Sequence, residues 1–287
     1  RWFTSRIPGP SGLPIGVEGK AVALLSGGFD SAVAAWLTMR RGTALDFVFF
    51  RLGGPEHERA VMPIANLLAS RWGAGSRPRL FVVPFEPVAE LIQQRVDEPM
   101  RQLVLKHVMY GVGASIARFV RAEALITGEC LGQVSSQTLK NLRALGSPEG
   151  YPVLRPLLTY DKQEIIALSR HIGTHDLSAG VPEYCALVPR KPATASSAFR
   201  LRAAAEELSF DFWEAARLSE RLNLPAPMPE EDPTETVDAV PEGVQVIDIR
   251  QNLAPGEQLV EGSIPFDTNR LDEGVKGLEQ GRKYVIV

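Results

Sequence analysis

Short apolar runs alternate with longer amphipathic stretches over most of this chain. Residues 21–25, 45–50, 80–85, 124–127 and 153–158 are mainly aliphatic or aromatic and are bounded by Gly, Pro or charged positions. Runs this short do not make buried helices; apolar on both faces, they predict strands buried in a parallel sheet. Between them the pattern is helical. Residues 31–41 are rich in Ala, Leu and Met and close with Gly42, a further helix runs to about Trp72, and 161–172 forms another. The stretch 87–121 is helical with a break near Pro99, and its second part sets Leu103, His107, Gly111 and Ser115 on one stripe. Strands alternating with helices predict βαβ units wound into a doubly wound parallel α/β sheet. Ligands on such sheets sit beyond the carboxyl ends of the strands. Three unusual loops, 26–31, 51–58 and 128–138, follow strands directly and so converge on that edge.

The pattern changes at both ends. Residues 1–19 hold Pro8, Pro10 and Pro14 among glycines, have no apolar period, and read as a linker. Residues 20–222 form the main domain. Residues 223–242 hold five prolines among acids and small residues, the composition of an interdomain linker. After it, 243–287 carries a strand near 244–249 and an aliphatic end, too little to bury a core unaided, so a second α/β domain cut short is expected. With Arg1 at the start, the chain is expected to be a fragment.

Charge and cysteine content narrow the chemistry. The net charge is −3, but 228–242 alone carries Glu230, Glu231, Asp232, Glu235, Asp238 and Glu242; setting those aside leaves 28 acids against 31 basic residues. That small positive excess neither supports nor excludes an RNA partner. Two cysteines, Cys130 and Cys185, exclude a disulfide scaffold, and the four histidines, His57, His107, His171 and His175, show no ligand spacing with them. No apolar run reaches membrane-spanning length, and a bacterial-type cytoplasmic enzyme is expected.

Candidate chemistry concentrates in Ser26-Gly27-Gly28-Phe29-Asp30-Ser31, between the first strand and helix. Two glycines let the backbone turn its N–H groups toward an anion, and the helix that follows adds its positive end. No lysine follows the glycines, which argues against the Walker loop. The string resembles the PP-loop of ATP pyrophosphatases, of the adenine nucleotide alpha hydrolase-like fold. The resemblance implies cleavage of ATP between its α- and β-phosphates, with the loop amides and both Ser26 and Ser31 on the pyrophosphate and Asp30 at a Mg2+ ion.

Further motifs follow in order: Gly53-Gly54 with His57-Glu58, Gly128-Glu129 with Leu131-Gly132-Gln133-Val134 and Ser136-Gln137-Thr138, and Pro182-Glu183-Tyr184-Cys185. Together they resemble the tRNA 4-thiouridine synthetase (tRNA uracil sulfurtransferase) family, strongly over 8–222. A looser likeness of Val246-Ile247-Asp248-Ile249-Arg250 to a rhodanese strand extends it. By that resemblance Leu24 and Leu25 carry adenosine on their backbone, Lys106, Gly128 and Gln137 complete the ATP site, and Lys162 stabilises charge during adenylation. The residues alone leave alternatives open: Lys106 and Lys162 as solvated helix charges, Gly128 as a turn glycine, Gln137 as a helix cap. No chemical role is assigned to His57 and Glu58. Cys185, near Arg190 and Lys191, has the surroundings of a reactive thiolate; the resemblance makes it the residue that attacks or resolves a persulfide. Cys130 reads as a small buried hydrophobe.

The resemblance implies an enzyme that adenylates uridine at position 8 of tRNA and replaces oxygen with sulfur, with a linked role in thiamine thiazole synthesis. Its partners would be tRNA, a cysteine desulfurase as persulfide donor and a thiamine sulfur-carrier protein, with no membrane; a homodimer is left open. The family's N-terminal THUMP region and the end of its rhodanese domain are expected outside this chain. An amidating ligase of the same loop class and a non-catalytic nucleotide-binding module are the alternatives.

Overall fold

The computed structural model describes residue 9, residues 11–182, residue 187 and residues 192–229, 244–248, 263–265 and 284–286. The chain divides into two compact units, Arg1–Pro229 and Glu230–Val287.

In the first unit, β1 (Lys20–Leu25), α1 (Phe29–Arg40), β2 (Ala44–Arg51), α2 (Gly54–Leu67), β3 (Arg79–Pro84), α3 (Glu86–Arg95), α4 (Arg101–Val120), β4 (Ala124–Ile126), α5 (Leu139–Leu145) and β5 (Val153–Leu154) follow in sequence. Then come α6 (Lys162–Ile172), α7 (His175–Ala179), α8 (Ala198–Glu206), α9 (Phe212–Arg217) and β6 (Glu220–Asn223). The six strands lie in the order β5-β4-β1-β2-β3-β6. All neighbours are parallel except β6, which runs antiparallel to β3 from Arg79↔Asn223 to Val82↔Glu220.

Alternation along the strands builds two cores. Ala21, Ala23, Leu25, Phe47, Phe49, Leu80, Val82 and Ile126 face one side, with Trp36, Ile64, Leu68 and Ile165 from α1, α2 and α6 and the turn after α2. Val22, Val48, Phe50, Phe81, Val83 and Leu125 face the other, with Ile92, Val104, Val112, Ile116 and Leu201 from α3, α4 and α8. Helices cover both faces, which is why the inner strands are apolar throughout. Glu98–Val120 is long and apolar enough to cross a membrane by length and composition, but 67% of its apolar 18-residue segment is buried inside this fold.

Several expectations need correcting. The helix after β2 begins at Gly54, so His57 and Glu58 sit in its first turn, not in a loop; Pro55 stands at the position where proline's missing N–H costs nothing. The strand expected over 153–158 is only Val153–Leu154, because Arg155 and Leu157 accept the backbone N–H groups of Leu158 and Tyr160 in turns. The edge strand β6 was not expected at all. Beyond it, Leu224 and Ala226 are buried in the first core, and Asn66 bonds both the N–H and the carbonyl of Ala226 at 2.8 Å. At the other end, Leu13, Gly16 and Glu18 donate backbone N–H groups to the carbonyls of Arg40 and Gly42.

The second unit is described at three strands, β7 (Gln245–Asp248), β8 (Ile264–Pro265) and β9 (Tyr284–Ile286). Both β8 and β9 pair with β7 in parallel, and Val246 and Ile247 are buried.

Candidate functional site

After β1 the chain leaves for β2 and β3 on one side of the sheet and returns to β4 and β5 on the other. The carboxyl ends of β1 and β4 therefore flank the point where strand order reverses, the place where sheets of this class open a crevice. The pairing of β1 with β4 ends at Ala23↔Ile126, while that with β2 continues to Leu25↔Phe49. Leu24 and Leu25 thus extend past the β4 ladder at this reversal point.

The loop after β1 is shaped by contact on both sides. Gly27 has φ of +84°, and a Cβ there would lie 2.8 Å from Val61 Cγ2 and 3.0 Å from Val181 Cγ1. Gly28 caps α1 with no side-chain hydrogen bond, so the first-turn N–H groups of α1 keep their positive end for a ligand. Ser31 is buried; its Oγ donates to the Gly28 carbonyl at 3.1 Å and accepts from Ser26 N and Ser26 Oγ, each at 3.2 Å. The two serine hydroxyls hold the loop in shape.

Asp30 is where three segments meet. Its Oδ1 accepts from Lys162 Nζ at 2.9 Å and its Oδ2 from Gln133 Nε2 at 2.9 Å. Lys162 is placed by the N-terminus of α6, where Asp161 and Glu164 form a reciprocal cap. Its ammonium also lies 5.5 Å from the centre of the Phe29 ring. The structure brings together Asp30 and Lys162, two of the residues singled out in the sequence, and adds Gln133, which stands there only as part of a motif.

Gly128 is not a turn glycine. A Cβ on it would stand 2.5 Å from the Asp30 carbonyl carbon and 2.6 Å from Ser31 N, so its bare backbone lets the β4 loop close onto the start of α1. Gln137 does not cap the next helix: Thr138 does, accepting from Asn141 N, while Gln137 Oε1 accepts from Cys130 N at 3.2 Å. Cys130 is buried, and burial first, then the nearby Asp30 charge, pushes its thiol up to about 11. That fits the expected small hydrophobe.

Lys106 is not a solvated helix charge. Its Nζ donates to Glu129 Oε1 at 2.8 Å, while Glu129 Oε2 accepts from Arg155 Nε at 2.8 Å, from Thr127 Oγ1 at 3.2 Å and from Tyr110 Oη. Burial pushes the Glu129 carboxyl up, but the Lys106 charge and its hydrogen bond, with Tyr110 and Arg155, outweigh this and hold it at about 2. This cluster joins α4, the β4 loop and the turn just after β5; its members lie too far apart in sequence for any motif to reveal it. On the far side of the crevice, Arg51 pairs with Glu58 at 3.2 Å and with Glu86 at 3.1 Å, and Glu86 Oε1 also accepts from Gly54 N.

Cys185 lies outside the described residues, with Glu183, Tyr184, Arg190 and Lys191. Among the described residues no group of three or more His, Cys, Asp or Glu side chains is gathered for a metal. Mg2+ at a nucleotide takes few protein carboxylates and fills its shell with phosphate oxygens and water. Asp30, with its side chain 21% exposed, fits that demand. A cavity of about 430 Å³ lies elsewhere, lined by Phe81, Ile116, Phe119, Trp213, Arg217 and Arg221 at the far end of α4, so surface concavity alone would have pointed away from this chemistry.

A family model described as ThiI, thiamine biosynthesis protein, matches residues 16–210. A tRNA sulfurtransferase of Edwardsiella ictaluri (strain 93-146) is 38% identical over 297 residues, covering 98% of this chain and 60% of that protein. One from Salmonella typhi is 41% identical over 218 residues, covering 76% of this chain and 45% of that protein. Among solved structures, a crystal structure of a 4-thiouridine synthetase–RNA complex with bound ATP is 32% identical, with a TM-score of 0.69 over 74% of this chain and 57% of that one. The chain spans between 45% and 60% of the length of these relatives.

Proposed function

Because the chain belongs to the ThiI thiamine-biosynthesis protein family, we propose that it carries the ATP-dependent, adenylating half of a tRNA sulfurtransferase. The observation that supports this most is the junction at Asp30, where the uncapped start of α1, Lys162 and Gln133 converge at the strand-order reversal. In this reading the loop amides of Gly27 and Gly28 and the N-terminus of α1 hold the pyrophosphate portion of ATP. Leu24 and Leu25 receive adenosine, and Gly128 lets the β4 loop close over it. Lys162 turns from Asp30 toward the phosphates, and Lys106, steadied by Glu129, adds a second cation. Asp30 would hold Mg2+, which when bound neutralises charge on the phosphate oxygens.

The uracil O4 of tRNA uridine 8 attacks the α-phosphorus; the bond to the β-phosphate oxygen breaks and pyrophosphate leaves. The terminal sulfur of a persulfide then attacks C4, and AMP departs with the former O4. The Cys185 thiolate would attack the carrier cysteine's sulfur, breaking the S–S bond to release 4-thiouridine and leaving a Cys185–carrier disulfide for an external thiol to reduce. Cys185 and a rhodanese-like second unit would handle that sulfur, supplied by a cysteine desulfurase and shared with a thiamine sulfur carrier, in the cytoplasm. The 287-residue chain is expected to bind ATP with magnesium in calorimetric titration, yet to form no 4-thiouridine when given tRNA, cysteine and a desulfurase. Thiolated tRNA at the rate of a longer relative would show that this chain carries sulfur by itself, against the division of labour proposed.

A further inference from the structure

Around the crevice, Arg51, Lys106, Arg155 and Lys162 are each paired with a carboxylate. Lys140, Arg143 and Arg200 are not: all three are exposed, and none forms an ion pair among the described residues. The sequence around them is one-sided. Residues 130–147 and 192–205 hold four lysines and arginines and no aspartate or glutamate, in a chain whose net charge is −3.

Tertiary contacts bring these two stretches together. Asn141, in α5, is fully buried; its Nδ2 donates to the Ser135 carbonyl at 2.9 Å and to the Ala193 carbonyl at 2.7 Å, and its Oδ1 accepts from Ser196 N at 2.9 Å. Thr138 Oγ1 adds a bond to the Thr194 carbonyl at 2.7 Å, and α5 packs against α8. The β4 loop, α5 and the start of α8 are thus joined, and the same loop reaches Asp30 through Gln133. Large apolar side chains stand out on the joined segments: Phe199 is 80% exposed and Leu139 66%, with Val134 also exposed. We propose that α5 and the start of α8 form an RNA-contact surface beside the crevice, with phosphates on Lys140, Arg143 and Arg200 and an unpaired base stacked on Phe199.

The composition decides the kind of partner. A cation with no carboxylate beside it can take a phosphate and release that phosphate's counterion. An exposed phenyl ring offers a stacking face to any base. Protein interfaces, by contrast, shed charged side chains from their centres, whereas here the cations lie among the apolar groups. The inference rests on the adenylating reading of the crevice. A uracil that reaches Asp30 must leave its stack, and the nucleotides next to it are then opened toward the adjoining surface.

The test uses the 287-residue chain and two labelled RNAs, a tRNA transcript and a fully paired duplex, each titrated at about 50 mM and about 200 mM salt. The unaltered chain should bind the transcript at the lower salt with a Kd below about 100 μM. Replacing Lys140, Arg143 and Arg200 together by alanine should weaken this about 10-fold and lower the slope of log Kd against log salt by about 2. Phe199→Ala should weaken transcript binding about 10-fold and duplex binding less than about 2-fold, since only unpaired bases stack. Both variants alter exposed side chains and should keep ATP affinity within about 2-fold. Transcript affinity unchanged in the folded triple variant, or no binding by the unaltered chain, overturns the proposal and leaves this face to a protein partner. Equal losses on duplex and transcript in Phe199→Ala overturn the stacking. Should the chain bind no ATP while the triple variant still loses RNA, the nucleotide reading fails and the RNA surface stands.

Discussion

Asp30, in the first turn of α1, and Glu129, on the loop after β4, are neighbouring carboxylates whose surroundings differ sharply. Asp30 has a side chain 21% exposed, and Lys162, its ionic partner, is 45% exposed. Glu129 has a side chain 7% exposed, gripped by Lys106 and Arg155 at 20% and 15% and further bonded by Thr127 and Tyr110. A surface pair like the first is worth about 0–1 kcal/mol, so its members can exchange partners at little cost when phosphate and metal arrive. The second cannot open without leaving buried charge unpaired. The comparison separates two duties that a motif search would merge: Asp30 is placed to react to a ligand, and Glu129 to keep the crevice walls still.

Removing Glu129 should have the largest effect. Glu129→Ala leaves Lys106 and Arg155 as uncompensated, largely buried cations, and should cost about 3–5 kcal/mol in urea unfolding. A loss below about 1 kcal/mol would mean that the cluster is wetter than its geometry implies. Acid should reproduce most of that loss. The surrounding cations hold the Glu129 carboxyl at about 2 in the fold, below the ordinary glutamate value of 4.5. A depressed folded pKa gives stability that is whole above the unfolded value and is lost as pH falls toward the folded one. Between about pH 5 and pH 2 the chain should therefore lose roughly 3 kcal/mol through this group. Glu129→Gln should flatten that part of the profile, and an unchanged profile would assign the acid sensitivity elsewhere.

Gly128→Ala tests the contact between the two regions. Its Cβ would press on the Asp30 and Ser31 backbone, and overpacking of this kind costs about 1–3 kcal/mol. Because the strain falls on the start of α1, ATP affinity should drop more than a comparable loss at a distant site would produce. The smallest change in stability is expected from Asp30→Ala, within about 0.5 kcal/mol, as for other exposed positions. In a longer family member the same substitution should reduce pyrophosphate release with tRNA below about a tenth of normal. Release above that level would return Asp30 to a purely structural part.

The sequence made the central strands and the phosphate loop legible because each is a local signal: an apolar run, a glycine pair, a helix start. It overstated β5, since Leu157 is apolar and fully buried yet lies in a turn. It concealed β6, whose Glu220-Arg221-Leu222-Asn223 has no apolar period and becomes a strand only through β3. Lys106, Glu129 and Arg155 are scattered over α4, a loop and a turn, so their meeting depends on the tertiary fold. Pro55 did carry a readable sign that α2 starts at Gly54, and with it that His57 and Glu58 are buried helix residues.

The late arrival of β6 has a consequence during protein synthesis. Strand β3, Arg-Leu-Phe-Val-Val-Pro, leaves the ribosome well before its outer partner, about 140 residues later. At about 5–20 residues per second, that edge stays unpaired for on the order of ten seconds while β4, β5 and their helices are being made. An apolar open edge is a template for joining a neighbouring nascent chain. Translation pace between Pro84 and Glu220 thus becomes a determinant of yield for this fold, and chains stopped before Glu220 carry the exposed edge permanently.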